Sequence, residues 1–233
     1  MRSERAASSA CAAARGAIVR RSMYIPTSNE ERDPDRLIAL MGRHPFATVV
    51  TAAPAGLCIS HVPLLVCRRG GATFLAGHVA RANEHWRAFA GDAPTTAIFH
   101  GPHAYVSPAW YATSAAVPTW NYAVVHVSGP VRVDDSSEAA AAHVHELAAR
   151  FEPDPAAWSS RSLPGEVVQR LSRAIVAFEL RAERIEGKLK LGQNRSAADR
   201  EGAITQLEAT GDDVARALAA MMRTTMLATS ETK

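Results

Sequence analysis

Apolar, β-branched runs alternate with glycine- and proline-bearing turns through the first half of the chain. Residues 46–51 and 57–66 flank Ala53-Pro54-Ala55-Gly56, which predicts a hairpin with a four- or five-residue connection. Arg68-Arg69-Gly70-Gly71 supplies the next turn and residues 72–78 the next strand. Residues 95–100 predict another strand, with a shorter one at 104–106 beyond Gly101-Pro102. Residues 121–133 and 174–185 predict two long strands, the first with a bulge or edge feature at Gly129-Pro130. Residues 107–120 hold Ser107-Pro108 and Val117-Pro118 and read as a loop.

Helical spacing is confined to a few segments. Asp33-Pro34 precedes Leu37, Ile38, Leu40 and Met41, a capped helix with proline in its first turn that ends near Gly42. A short helix is predicted at 83–90. Asp135 and Glu138 have the spacing of a capping box ahead of Val144, Leu147 and Phe151. Further helices are predicted at 165–173, 196–207 and 212–227. Six or seven consecutive strands with few helices between them define a mainly β fold with flanking helices (α+β), an antiparallel sheet closed into a barrel. The absence of βαβ alternation argues against a Rossmann-type site.

Charge sharpens the domain picture. The 233 residues carry a net charge of +3, but residues 1–22 hold five arginines and one acid. Residues 23–233 therefore carry −1, and bulk charge does not support a grip on DNA by the body of the protein. The first 22 residues, rich in Ala, Ser and Arg, lack the apolar centre of a secretory signal and are expected to be disordered. Their composition suits a transit peptide or translated sequence upstream of a start at Met23; the second reading is preferred, because patterned sequence begins there. The expected organisation is a basic tail (1–22), a barrel domain (23–195) and a C-terminal helical extension (196–233). No run is long and apolar enough for a membrane span. Three cysteines without a CxxC pair point to a reducing, cytoplasmic setting.

Three polar segments stand out from the barrel pattern. The first joins Ser60-His61 in one strand to His78, Arg81 and Asn83 at the end of a following strand. A helix start favours anions, and an Arg fork matches phosphate oxygens, so Arg81 and Asn83 form a candidate phosphate seat. The plainer alternative is a strand-to-helix turn with a solvated Arg and a satisfied strand histidine. The second segment is Thr119-Trp120-Asn121, where Trp gives a flat surface and Asn offers both donors and an acceptor to a heteroaromatic edge; the alternative is a Trp that anchors a loop. The third contains Lys188, Lys190, Gln193, Asn194 and Arg195. Lys188 and Lys190 share one face of an extended segment, and the alternative is a solvated basic loop.

Taken together, several strings are similar to the PaiB-like family of FMN-binding negative transcriptional regulators. They are Met23-Tyr24-Ile25-Pro26, His44-Pro45-Phe46-Ala47-Thr48, residues 77–83, Gly101-Pro102-His103 through Tyr111, residues 117–122 and residues 186–195. The resemblance spans about residues 23–207. It implies an FMN-binding split barrel, in a superfamily with pyridoxamine-phosphate oxidases and haem-processing proteins, forming a homodimer with FMN at the subunit interface. It implies that Arg81 and Asn83 contact the phosphate and that Ser60-His61 lies near the flavin. Two departures appear: the loop at 112–116 is short, and Gly192 stands where the family usually has serine, so a hydroxyl is lost.

Three functions remain: a flavin-binding sensor, a transcriptional repressor, and a flavin-dependent oxidoreductase or haem-handling enzyme. No helix-turn-helix, zinc-finger or basic-zipper signature supports direct DNA binding. No residue stands out as catalytic. The pairs His100/His103 and His143/His145 do not make a metal set, since the second is spaced i,i+2 on a helix.

Overall fold

The computed structural model describes residues 23–89, 93–113, 116–154 and 156–230. The expected basic tail at 1–22 lies outside the described residues. The chain builds strands β1 (Glu30–Glu31), β2 (Phe46–Ala53), β3 (Gly56–Pro63), β4 (Leu65–Arg69), β5 (Ala72–Ala80), β6 (Thr95–Val106), β7 (Thr119–Gly129), β8 (Val131–Asp134), β9 (Ile175–Arg181) and β10 (Arg184–Lys190). Helices are α1 (Pro34–Arg43), α2 (His85–Phe89), α3 (Ser137–Phe151), α4 (Gly165–Ser172), α5 (Ala197–Ala209) and α6 (Asp213–Ser230).

The strands form two antiparallel sheets, ordered β1-β10-β7-β6-β2-β3 and β4-β5-β9-β8. This is a split barrel: two sheets share one core, and no continuous ladder closes them. Three runs that read as single strands in the sequence each cross from one sheet to the other. The first run breaks at Leu64, whose N–H donates to the Pro45 carbonyl at 2.9 Å. Another breaks at Pro130, which has no N–H to donate to a ladder. The third breaks at Ala182-Glu183. Two of these corners lock together, because Arg181 N donates to Pro130 O and Glu183 N to Ser128 O, both at 3.0 Å. Gly129 permits the approach: a Cβ there would collide with the Arg181 carbonyl oxygen.

Other local differences have equally plain causes. The first hairpin closes in two residues rather than four or five, since Ala53 pairs with Gly56 and Gly56 takes a φ of +129° that suits glycine. The segments at 95–100 and 104–106 form one strand, because a bulge between His100 and His103 absorbs Gly101-Pro102. Helix α3 is capped by Ser136, one residue beyond the expected Asp135: its Oγ accepts from Ala139 N, and Asp134 accepts from Ser136. Helix α1 begins as expected, with Asp33 accepting from Asp35 N and Arg36 N.

The core fills the space between the sheets. Val49, Ala97, Phe99, Val125 and Val127 from the larger sheet meet Leu75, Val79, Phe178 and Leu180 from the smaller one. Ile204, Leu207, Leu218 and Met222 of α5 and α6 join the same cluster, so the C-terminal helices are bound into the core of the barrel. Helix α3 covers the outer face of the smaller sheet, with His143 packed edge-on against His78 at 5.1 Å between ring centroids. Nδ1 of His78 and Nε2 of His143 are buried without a partner. Burial lowers the pKa of both rings, and that of His143 falls to about 4.

This pair makes stability acid-sensitive. The unfolded chain protonates His143 near its ordinary value of 6.5, whereas the folded chain resists until about 4. Its contribution is therefore fully present above pH 6.5 and is lost as pH falls from there toward 4. We predict that unfolding free energy drops by about 2 kcal/mol from this group between about pH 7.5 and 5. Urea titrations should show the drop, and His143→Leu should flatten it.

Candidate functional site

The inner end of β5 and the start of α2 hold a buried polar chain. Asn83 Nδ2 donates to Ser60 Oγ at 3.0 Å. Ser60 Oγ lies 2.8 Å from His85 Nδ1, and His85 Nε2 lies 2.9 Å from Thr51 Oγ1. Thr51 Oγ1 lies 2.9 Å from Thr95 Oγ1, and Thr95 donates to the Ala93 carbonyl. Donor counting fixes the direction of the chain. Thr95 spends its proton on Ala93, so it accepts from Thr51; Thr51 then accepts from His85 Nε2–H. His85 is thus neutral with a bare Nδ1 that accepts from Ser60. Burial lowers the His85 pKa and favours the same neutral form. Asn83 Oδ1 also accepts from His85 N, which fixes the entry to α2.

Arg81 lies beside this chain and is already engaged. Its Nε donates to Arg173 O at 2.8 Å, and Nη2 donates to Asp135 O at 2.8 Å and Ile175 O at 3.1 Å. The Asp135 carboxylate stands 3.9 Å from Nη1. The guanidinium therefore clamps the start of α3 to the α4–β9 connection. His78, on the opposite face of β5 from Val79, points toward α3 and not toward Ser60.

Strand alternation sends most of the remaining candidates to the outward face of the six-stranded sheet. His61 points there while Ser60 points inward; its Nδ1 lies 3.1 Å from Thr48 Oγ1, and its ring stacks near Phe46. Trp120 is exposed and contacts the rings of His103 and Tyr105. The register Lys190↔Tyr122 and Lys188↔Val124 brings two candidate segments side by side. Lys190 Nζ donates to Thr119 Oγ1. Lys188 Nζ donates to the Tyr24 carbonyl at 3.0 Å and lies 5.3 Å from the Tyr24 ring and 5.4 Å from the Tyr122 ring. His61 sits four strands from Lys190, about 19 Å at the usual strand spacing.

The turn after β10 is spent mostly on the fold. Gln193 accepts from Leu191 N and donates to Leu189 O, closing its own turn. Asn194 is exposed in the same turn, and Arg195 stacks on Tyr111 at 4.7 Å. Asn121 points inward, where Nδ2 meets Met222 Sδ at 3.6 Å and Oδ1 has no partner. Gly192 adjoins it: a Cβ there would lie 3.7 Å from Asn121 Nδ2, but the φ of +76° favours glycine. Thr113 is held by Asp199, which accepts from its N and Oγ1 at 2.9 Å.

Sequence reading missed His85, Thr51 and Thr95. Their signal was two threonines in the inward register of apolar strands and a histidine just past the Asn83 cap. It also left out Tyr24 as a neighbour of Lys188, which only the β1–β10 pairing brings close. Among the described residues, no group of three His, Cys, Asp or Glu side chains is placed to hold a metal.

Comparison with known proteins defines the class. Residues 23–184 match the family model described as "Putative FMN-binding domain", and the chain belongs to this PaiB-like FMN-binding family. The chain is 30% identical over 206 residues to "Protease synthase and sporulation protein PAI 2" of Bacillus subtilis, covering 86% of this chain and 96% of that one. Its fold resembles that of an FAD- and haem-binding protein from Mycobacterium smegmatis, with a TM-score of 0.54, 21% identity, and 75% and 80% of the two chains covered. It also resembles the flavocytochrome Anf3 from Azotobacter vinelandii, with a TM-score of 0.53, 16% identity, and 70% of each chain covered.

The residues fit flavin. Among the described residues, Lys188 and Lys190 form no ion pair with a carboxylate; the Thr119 hydroxyl adjoins Lys190 and the Tyr24 and Tyr122 rings adjoin Lys188. Cations beside flat apolar rings suit a phosphate-bearing heteroaromatic group. Removing the hydroxyl of Ser60 should leave His85 Nδ1 and Asn83 Nδ2 unsatisfied. Ser60→Ala is predicted to lower stability by about 2–3 kcal/mol in denaturant titrations.

Proposed function

We propose that the protein is an FMN-binding homodimer that holds its flavin between subunits, over the outward face of the six-stranded sheet, and acts as a regulator of the PaiB type. The observation that carries this reading is the division of labour among its cations. Arg81 is engaged by three backbone carbonyls. Lys188 and Lys190 lie on the aromatic outward face, and among the described residues neither has a carboxylate partner. Lys190 with Thr119 serves as the phosphate seat, Lys188 adds charge beside it, and Trp120 and Tyr122 offer ring surface. Asn83 and Ser60 support this arrangement from within by fixing β3 and α2. The bound flavin would supply one- and two-electron redox chemistry, and the chain's residues bind and orient it.

Subunit pairing draws support from the same face. Phe46, Leu57, Ile59, Tyr105 and Trp120 are large, apolar and exposed there, with Leu57 68% and Phe46 64% accessible. Apolar patches of this kind mark interaction surfaces. The regulatory role rests on similarity to PAI 2 over most of both chains. A body charge of −1 favours action through a partner over a direct grip on DNA. The free thiols of Cys58 and Cys67 are in keeping with a reducing, cytoplasmic setting.

Titrating FMN against purified protein, followed by quenching of flavin fluorescence, tests the seat. A charge-assisted phosphate contact contributes about 1.5–3 kcal/mol, so Lys190→Gln should weaken FMN binding about ten- to a hundredfold with little change in Tm. Arg81→Ala should do the reverse, lowering Tm while changing FMN affinity less than Lys190→Gln. Equal FMN affinity in wild type and Lys190→Gln would refute the assignment. A mobility-shift assay with residues 23–233 at physiological salt should give no direct DNA complex.

A further inference from the structure

The outward face of the larger sheet has a composition that the flavin site does not explain. Its outward positions are Leu57, Ile59 and His61 on β3, then Phe46, Thr48, Val50 and Ala52 on β2. They continue with Thr96, Ile98, His100, His103 and Tyr105 on β6, and Trp120, Tyr122, Val124, His126 and Ser128 on β7. Across these four strands there is no Lys, Arg, Asp or Glu. Four of the nine histidines stand there instead. Histidine is the residue type that can gain or lose a charge in the physiological range.

The histidines are connected. Thr48 Oγ1 lies 3.1 Å from His61 Nδ1 and 3.4 Å from His100 Nε2. His126 lies diagonally across the β6–β7 pair from His100, and its pKa is lowered by burial first and by His100 among its charged neighbours. His103 packs against Trp120. The charged neighbours are few: Arg184, Glu186, Lys188 and Lys190 border the face on β10, and Asp212 borders it beside His103 and Tyr105. Glu186 is held by Arg184 at 3.0 Å.

A face without permanent charge suits a second copy of itself, since identical surfaces meeting about a two-fold axis bring like groups together. Once protonated, the same face repels its copy. Resting on the homodimer reading above, we propose that pairing of two copies through this face is proton-gated: His61, His100, His103 and His126 permit the dimer when neutral and separate it when charged. Apposition removes water from these rings, which disfavours their charged forms. Dimer stability is then full while the rings are neutral and declines as acid protonates them.

Sedimentation velocity of the FMN-saturated protein at pH 7.5 and 5.5, with far-UV circular dichroism in parallel, tests this. The dimer Kd should rise at least tenfold at pH 5.5 while secondary structure stays unchanged. The double variant His100→Gln/His126→Gln should dimerise at pH 7.5 and lose at least half of that rise on a logarithmic scale. A Kd equal at both pH values overturns the proposal. So does a rise undiminished in the double variant, or dissociation that coincides with loss of secondary structure. A chain monomeric at both pH values instead overturns the homodimer reading on which the proposal stands.

Discussion

The close approach of two backbone corners sets the rest of this structure. At Gly129-Pro130 and Arg181–Glu183 the chain twice leaves one sheet for the other, and the corners bond to each other through Arg181 N and Glu183 N. A side chain at position 129 would collide with the Arg181 carbonyl. Because the corners meet, β7 and β10 pair in the larger sheet while β8 and β9 pair in the smaller one. One covalent run thus serves two layers, and the core between them is shared. Every candidate site residue inherits its direction from that split.

The split also sorts polar residues into two environments. Inward positions are close-packed, so a polar group there is costly without a partner. Ser60, His85, Thr51 and Thr95 satisfy one another in a directed chain, and the half-buried Arg81 spends Nε and Nη2 on three carbonyls. Outward positions on the larger sheet carry no such demand. They present aromatic rings, histidines and, at the β10 border, Lys190, while the neighbouring Lys188 is buried under Tyr24 and donates to its carbonyl.

Much of the fold was legible in the sequence, and the failures share a cause. Period-2 alternation marked the strands, and Asp33-Pro34 marked the start of α1. Alternation is blind to which sheet a strand joins, so residues 57–66, 121–133 and 174–185 each read as one strand. Thr119–Asn121 and the lysines of β10 stood out as separate polar segments, yet their adjacency comes from a register between strands distant in the sequence. Ser60 and His61 read as a unit, although neighbouring strand residues face opposite ways. Arg81 illustrates the limit best: its residue type and its place before a helix suit a phosphate, but nothing local shows that three carbonyls from residues 135, 173 and 175 converge on it.

Electrostatics then decides where an anion can sit. The Arg81 guanidinium spends Nε and Nη2 on three carbonyls, so only Nη1, which faces the Asp135 carboxylate at 3.9 Å, keeps free N–H groups; turning the others to a phosphate would strand those carbonyls beside the α3 entry. Helix α2 adds little, being one short turn in which Asn83 and Glu84 already accept from the N–H groups of His85 and Arg87. Lys190 gives up only a bond to a hydroxyl that can itself turn and donate to the same anion. On the proposed reading Lys190 is the partner of the incoming anion, because it meets that anion without stranding a backbone carbonyl, whereas three of the five Arg81 donors are already spent.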